Sequence, residues 1–176
     1  TPDMLAKISQ GVTTVIVGNC GISASPVSLP GVPPDPMNLL GSREAFVYPT
    51  FQAYAAAVEQ AQPAVNVAAL IGHTALRSNV MPGFDRPAQP EELQHMCAAL
   101  QGALDAGAIG LSSGLAYTNA KQAPVSEMQA LVDIVGREGA LYTTHMRDEH
   151  AGLLDSLEES FSTARKAGAD LVISQL

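Results

Sequence analysis

Tryptophan is absent from this chain, only two cysteines occur, and lysine plus arginine are outnumbered 9 to 17 by aspartate plus glutamate. Each scarcity excludes something. Cys20 and Cys97 lie in unlike settings and form no spaced framework, so a disulfide-held fold is excluded and reduced thiols are expected. The net charge of −8 is spread along the chain rather than gathered in a block, which speaks against nucleic acid and anionic membrane surfaces as partners. No uninterrupted apolar stretch approaches the ~18 residues of a membrane span, and no charged leader precedes an apolar core, so no membrane association and a cytoplasmic location are expected. No Gly-x-Gly-x-x-Gly or Gly-Lys-Ser/Thr loop occurs, which removes the phosphate cradle of a doubly wound nucleotide-binding domain.

What the chain does contain is aliphatic. Its 176 residues are 47% hydrophobic but only 5% aromatic, a balance that suits an α/β protein forming one domain or part of one. A repeated unit runs through it: an amphipathic helix, a glycine turn, a short apolar strand, then a polar loop. Gly11, Gly107, Gly139 and Gly168 each follow a helical stretch and lead into the apolar runs 12–17, 108–112, 140–144 and 169–174. Glycine just past a helix end supplies the left-handed conformation that turns the chain into the next strand. A fifth run, 65–71, follows the helix 51–60 after Pro63, which stops that helix. Pro90-Glu-Glu reads as a helix start with carboxylates on the positive end of the dipole, and Ser126-Glu-Met-Gln129 as a capping box.

Aliphatic strands alternating with helices predict a parallel sheet covered by helices, with all carboxyl ends on one side. That side would carry Cys20, His73, Ser112, Ser113, His145 and Gln175. Chemistry gathers at this end in both (β/α) barrels and open α/β sheets. Cys20, in Gly-Asn-Cys-Gly after one strand, and His145, in Thr-His-Met-Arg after another, suggest one shared zinc site. Five strands cannot close an eight-stranded barrel, so on the barrel reading residues 1–176 are an internal section of the catalytic domain, with unpaired apolar edges and no separate second domain. The proline-rich connection 23–50 either covers the face of Cys20 or is a flexible excursion.

Four blocks carry a resemblance. Val12-Thr-Thr-Val-Ile-Val-Gly-Asn-Cys-Gly-Ile-Ser-Ala-Ser-Pro26, Ile71-Gly-His-Thr-Ala-Leu-Arg77, Gly107-Ala-Ile-Gly-Leu-Ser-Ser-Gly-Leu-Ala-Tyr117 and Tyr142-Thr-Thr-His-Met-Arg-Asp-Glu149 resemble the N-acyl-D-amino-acid deacylases, or D-aminoacylases, of the amidohydrolase superfamily. Their order and spacing follow that family from end to end of the chain. The resemblance implies a partial TIM-like (β/α) barrel and zinc as cofactor, with Cys20 and His145 as ligands. It implies hydrolysis of an N-acyl-D-amino acid to a carboxylic acid and a free D-amino acid. In this pattern a further histidine ligand stands where the chain has Gln175, a weak neutral oxygen donor. The pattern's His-x-His would precede Thr1 and its general-base aspartate would follow Leu176, so no catalytic residue is expected within the chain. The alternative is a degenerate, non-catalytic barrel that lost a metal ligand at Gln175. Which D-amino acid is preferred, and whether one or two metals bind, is left open.

The remaining candidates have two readings each. Tyr117 is expected as an apolar wall of the substrate pocket, and His73 either lines that pocket or ties loops together. Arg147, Asp148 and Glu149 either orient His145 through hydrogen bonds or make ion pairs at the next helix. Arg77 is expected in a surface ion pair. Cys97 reads as core packing, His95 and His150 as solvated.

Overall fold

The computed structural model describes residues 2–175. Five strands form one parallel sheet in chain order: β1 (Thr14–Val17), β4 (Asn66–Gly72), β5 (Gly110–Gly114), β6 (Leu141–His145) and β7 (Asp170–Ile173). Between them run α2 (Phe51–Ala61), α3 (His73–Val80), α4 (Pro90–Asp105), α5 (Val125–Arg137) and α6 (Leu153–Ala167), with a short α1 (Leu5–Ile8) ahead of β1. This is the α/β architecture expected from the alternating pattern, because parallel neighbours require a long crossover and the helices supply it. All four glycines read as helix-to-strand turns adopt positive φ, from +61° at Gly139 to +100° at Gly107. A β-carbon at any of them would meet nothing within 4 Å, so they are glycine for backbone conformation and not for space.

The core lies between the sheet and its helices. Leu100 of α4, Leu111 of β5, Leu131 and Val135 of α5 and Tyr142 of β6 are fully buried there, and Cys97 packs against them as core. Truncating a leucine at such a position typically costs about 2–5 kcal/mol. The other sheet face is different: Ile16, Leu70, Leu141, Thr143 and Val172 line a shallow cavity of about 220 Å³. Ile16 and Val172, on the two outermost strands, remain exposed. Among the described residues β1 pairs only with β4 and β7 only with β6, so both sheet edges are open.

Three local expectations change. The connection 23–50 is not a flexible excursion: Val27–Ser28 (β2) and Val47–Tyr48 (β3) pair antiparallel, flanking 3₁₀ turns at Met37–Leu40 and Arg43–Ala45. It has its own core, in which Ile22, Val27, Leu29, Met37 and Phe46 pack with Ala75 of α3. The capping box is not at Ser126, because α5 is capped at Pro124 and begins at Val125, and Glu127 turns inward. A capping box instead opens α4, where Gln89 N–H donates to Glu92 Oε2 at 2.7 Å. Third, residues 73–80 are helical, which carries Arg77 into the interior.

Candidate active site

The carboxyl end of the sheet is organised around the turn 18–21. Gly18, Cys20 and Gly21 all adopt left-handed backbone, with φ of 84°, 55° and 77°. A β-carbon on Gly18 would strike the carbonyl of Leu70, and one on Gly114 the carbonyl of Cys20. The turn is therefore wedged against β4 and β5 at a separation only glycine permits. Cys20 has no such freedom, and a non-glycine residue persists in this conformation where its surroundings over-determine it, commonly at functional sites.

Four side chains meet here. The Tyr117 hydroxyl is near enough to the Cys20 thiol to draw its pKa down, and the same oxygen lies 3.2 Å from His145 Nδ1. The two rings meet edge to face with centroids 5.0 Å apart. His145 Nε2 faces Glu149 Oε1 at 3.1 Å, yet that buried oxygen makes no hydrogen bond in this alignment. Burial pushes the Cys20 thiol up; the Tyr117 hydrogen bond opposes this and the Glu149 charge adds to it. Tyr117 is likewise raised, by burial and then by Cys20. Tyr117 is thus a polar bridge between the two candidate ligands, which its expected role as an apolar wall did not include.

A second cluster lies behind the first. Glu127 Oε1 accepts from Arg77 Nη1 at 2.5 Å and lies 2.8 Å from His73 Nε2, while Oε2 accepts from Ala88 N–H at 3.1 Å. Arg77 and His73 are 0% exposed, so Arg77 makes a buried pair and not the expected surface one. His73 joins α3 to α5 and presents no surface to solvent. Burial raises the Glu127 carboxyl, but hydrogen bonds and charge from His73 and Arg77 outweigh it and hold it at about 2. Burial lowers His73, against the pull of Glu127.

The other candidates separate cleanly. Arg147 pairs with Glu159 at 2.7 Å and donates to the carbonyls of Lys121 and Ala123, pinning the loop that carries Tyr117. Asp148 accepts from His150 N–H and turns away from His145. Of that trio only Glu149 faces the imidazole. His95 and His150 are exposed, and Gln175 is exposed just past β7, one position beyond the residue level with His145. Glu127 gave no sequence signal beyond a carboxylate in a first helical turn.

Among the described residues no three side chains of histidine, cysteine, aspartate or glutamate group closely enough to hold a metal ion. Cys20 and His145 nevertheless fit a zinc ion as part of its shell: a thiol and an imidazole share one hydroxyl, beside a buried carboxylate oxygen with no hydrogen-bond donor. A dication would also reverse the upward push on the thiol.

No protein-family model matches the chain. It is 42% identical over 177 residues to the N-acyl-D-aspartate deacylase of Alcaligenes xylosoxydans xylosoxydans, covering 98% of this chain and 35% of that protein. It superposes on a crystal structure of D-aminoacylase, described as defining a subset of amidohydrolases, with a TM-score of 0.94 at 42% identity over 98% of this chain and 36% of the other. It superposes also on the N-acyl-D-glutamate deacylase of Bordetella bronchiseptica in complex with zinc and a phosphonate that mimics the tetrahedral intermediate, with a TM-score of 0.92 at 40% identity and the same coverage. The chain spans about a third of the length of the relatives it matches. By sequence and by fold, it belongs to the N-acyl-D-amino-acid deacylase (D-aminoacylase) family of amidohydrolases.

Proposed function

We propose that these residues form an internal section of a (β/α)₈ barrel catalytic domain in a zinc-dependent hydrolase that cleaves N-acyl-D-amino acids to a carboxylic acid and a free D-amino acid. One observation carries the reading. A cysteine held in a strained turn and a histidine at the end of another strand converge on one tyrosine hydroxyl, on a chain whose relatives of known activity act on N-acyl-D-amino acids. The open sheet edges and the exposed inner face support the partial-barrel reading, since a closed barrel would cover both.

In this reading Cys20, as thiolate, and His145 hold the metal. When bound, zinc would polarise the acyl carbonyl and supply a nucleophilic water near neutral pH, its pKa lowered from 15.7 to about 7. Glu149, whose Oε1 stands 3.1 Å from Nε2 without a hydrogen bond in this alignment, would orient the imidazole once a metal draws His145 into place. Tyr117 would keep its proton and offer a hydrogen bond to the thiolate, tempering the nucleophilicity of Cys20. The loop 114–124, fixed by Arg147, sets where the phenol stands.

Gln175 favours a second reading, a non-catalytic barrel, because an exposed amide replaces an imidazole of the resembled pattern. Metal analysis and an assay of the intact protein on N-acetylated D-aspartate, D-glutamate and D-methionine separate the two. Near-stoichiometric zinc and hydrolysis, both lost in Cys20→Ala, support the deacylase. Folded protein with neither supports the non-catalytic barrel.

A further inference from the structure

Ser112 and Ser113 are adjacent, both 0% exposed, and stand level with Thr143 and Thr144 of β6. A buried hydroxyl costs free energy unless it is bonded, and successive strand residues face opposite sides. The two serines solve this differently. Ser113 Oγ bonds Tyr142 and Thr144 at 3.0 and 2.8 Å, within the sheet. Ser112 Oγ leaves the sheet and spans the metal-site turn, accepting from Gly21 N–H at 3.0 Å and donating to the Gly18 carbonyl. It clips the residues on either side of Asn19 and Cys20. Level with it on β6, Thr143 donates to Asn19 Oδ1 at 2.8 Å. From above, Thr74 N–H donates to the Gly21 carbonyl at 2.8 Å. Side chains from two strands thus hold three of the four residues in the turn, and the fourth is Cys20, held at φ 55°.

We propose that Ser112, assisted by Thr143 through Asn19, is a positioning residue that fixes Cys20 in its left-handed conformation and so aims the sulfur at the metal. This rests on the zinc-deacylase reading above. Ser112 touches neither substrate nor metal in this role; it acts through the backbone of residues 18–21. No aliphatic residue of similar size reproduces it, because the role needs one donor and one acceptor on a single atom.

Co²⁺ alone is the probe, titrated into the intact metal-free protein and followed by the thiolate-to-Co²⁺ charge-transfer absorption that Cys20 would give. Ser112→Ala should weaken Co²⁺ binding roughly 10- to 100-fold, the scale of losses when a ligand's supporting bonds are removed, and should diminish the band at saturation. Ser113→Ala, an equal truncation on the opposite face, should lower thermal stability while leaving affinity and band unchanged. If Ser112→Ala fails to fold, Asn19→Ala, at an exposed position, and Thr143→Val test the second bond. Each should weaken Co²⁺ binding several-fold, and the double variant should be no weaker than either single. Equal Co²⁺ affinity in Ser112→Ala and Ser113→Ala overturns the proposal, as does a wild type without the band, and as do Asn19→Ala and Thr143→Val variants that bind like wild type. A protein that shows these Co²⁺ effects but cleaves no N-acyl-D-amino acid defeats the deacylase reading alone.

Discussion

The rim of the sheet carries two polar clusters of opposite character. Around Glu127 both carboxylate oxygens are bonded, His73 and Arg77 are sealed from solvent, and three connected segments are joined: α3, α5 and the stretch before α4. Around Cys20 and His145 the groups are partly open, and Glu149 Oε1 is buried with no hydrogen bond. A carboxylate already matched by a guanidinium and bonded at both oxygens makes the fold more robust. One buried without a donor costs free energy, and a cation nearby offsets that cost. Each cluster pairs a glutamate with a histidine, but only Glu127 also has a guanidinium, while Glu149 stands beside a thiol and a phenol.

The sharpest way to break this distinction is to remove Glu127. Glu127→Ala leaves Arg77 buried without its carboxylate and should destabilise the protein by about 3–5 kcal/mol, read by urea unfolding, while the folded fraction keeps its metal affinity. A large loss of metal affinity at unchanged stability would merge the two clusters into one site.

Acid should act on the closed cluster as well. Glu127 is held at about 2 against 4.5 for an ordinary carboxyl, so its contribution, about 3 kcal/mol, is present above pH 4.5 and lost as pH falls towards 2. His73, lowered by burial, adds in the same direction: its contribution is complete above 6.5 and declines below that as the unfolded chain takes up the proton. Unfolding followed from pH 7 to 3 should show a steeper fall in the wild type than in Glu127→Gln.

At the open cluster the expected effects are on binding. Glu149→Gln should reduce zinc affinity roughly 10- to 100-fold, because the site loses the carboxylate charge that stands 3.1 Å from His145 Nε2. Its thermal stability should stay within about 0.5 kcal/mol of wild type, since Glu149 is not tied into the core. Gln175→His should raise zinc affinity at least about tenfold, judged against that same scale; no change would show that position 175 does not face the metal.

Much of the architecture was legible in the residues. The helix-to-strand glycines and aliphatic runs gave five parallel strands in the right places because both are local signals: a left-handed turn and a continuous buried strand leave marks in adjacent residues. The exposed apolar edges at Ile16 and Val172 follow from the same count of strands. What was not legible depends on pairing across distance. Glu127 lies 50 residues from Arg77, and no periodicity announces that its carboxylate turns inward to meet a guanidinium carried by an eight-residue helix. Tyr117 and the clip by Ser112 have the same origin: Tyr117 meets His145, 28 residues away, and Ser112 meets Gly18, 94 residues away. The small core beneath residues 23–50 was missed because prolines and glycines mask its alternation of Val27, Leu29 and Phe46.

Cys20 and His145 are proposed above as ligands of a catalytic zinc. Zinc content and N-acyl-D-amino-acid hydrolysis, measured together on the intact wild-type protein and on Cys20→Ala, test that proposal most directly. Near-stoichiometric zinc and turnover in the wild type, with both falling at least about 100-fold in a variant that unfolds at the same urea concentration, is the predicted result. A Cys20→Ala protein that keeps its zinc and its activity would contradict the assignment.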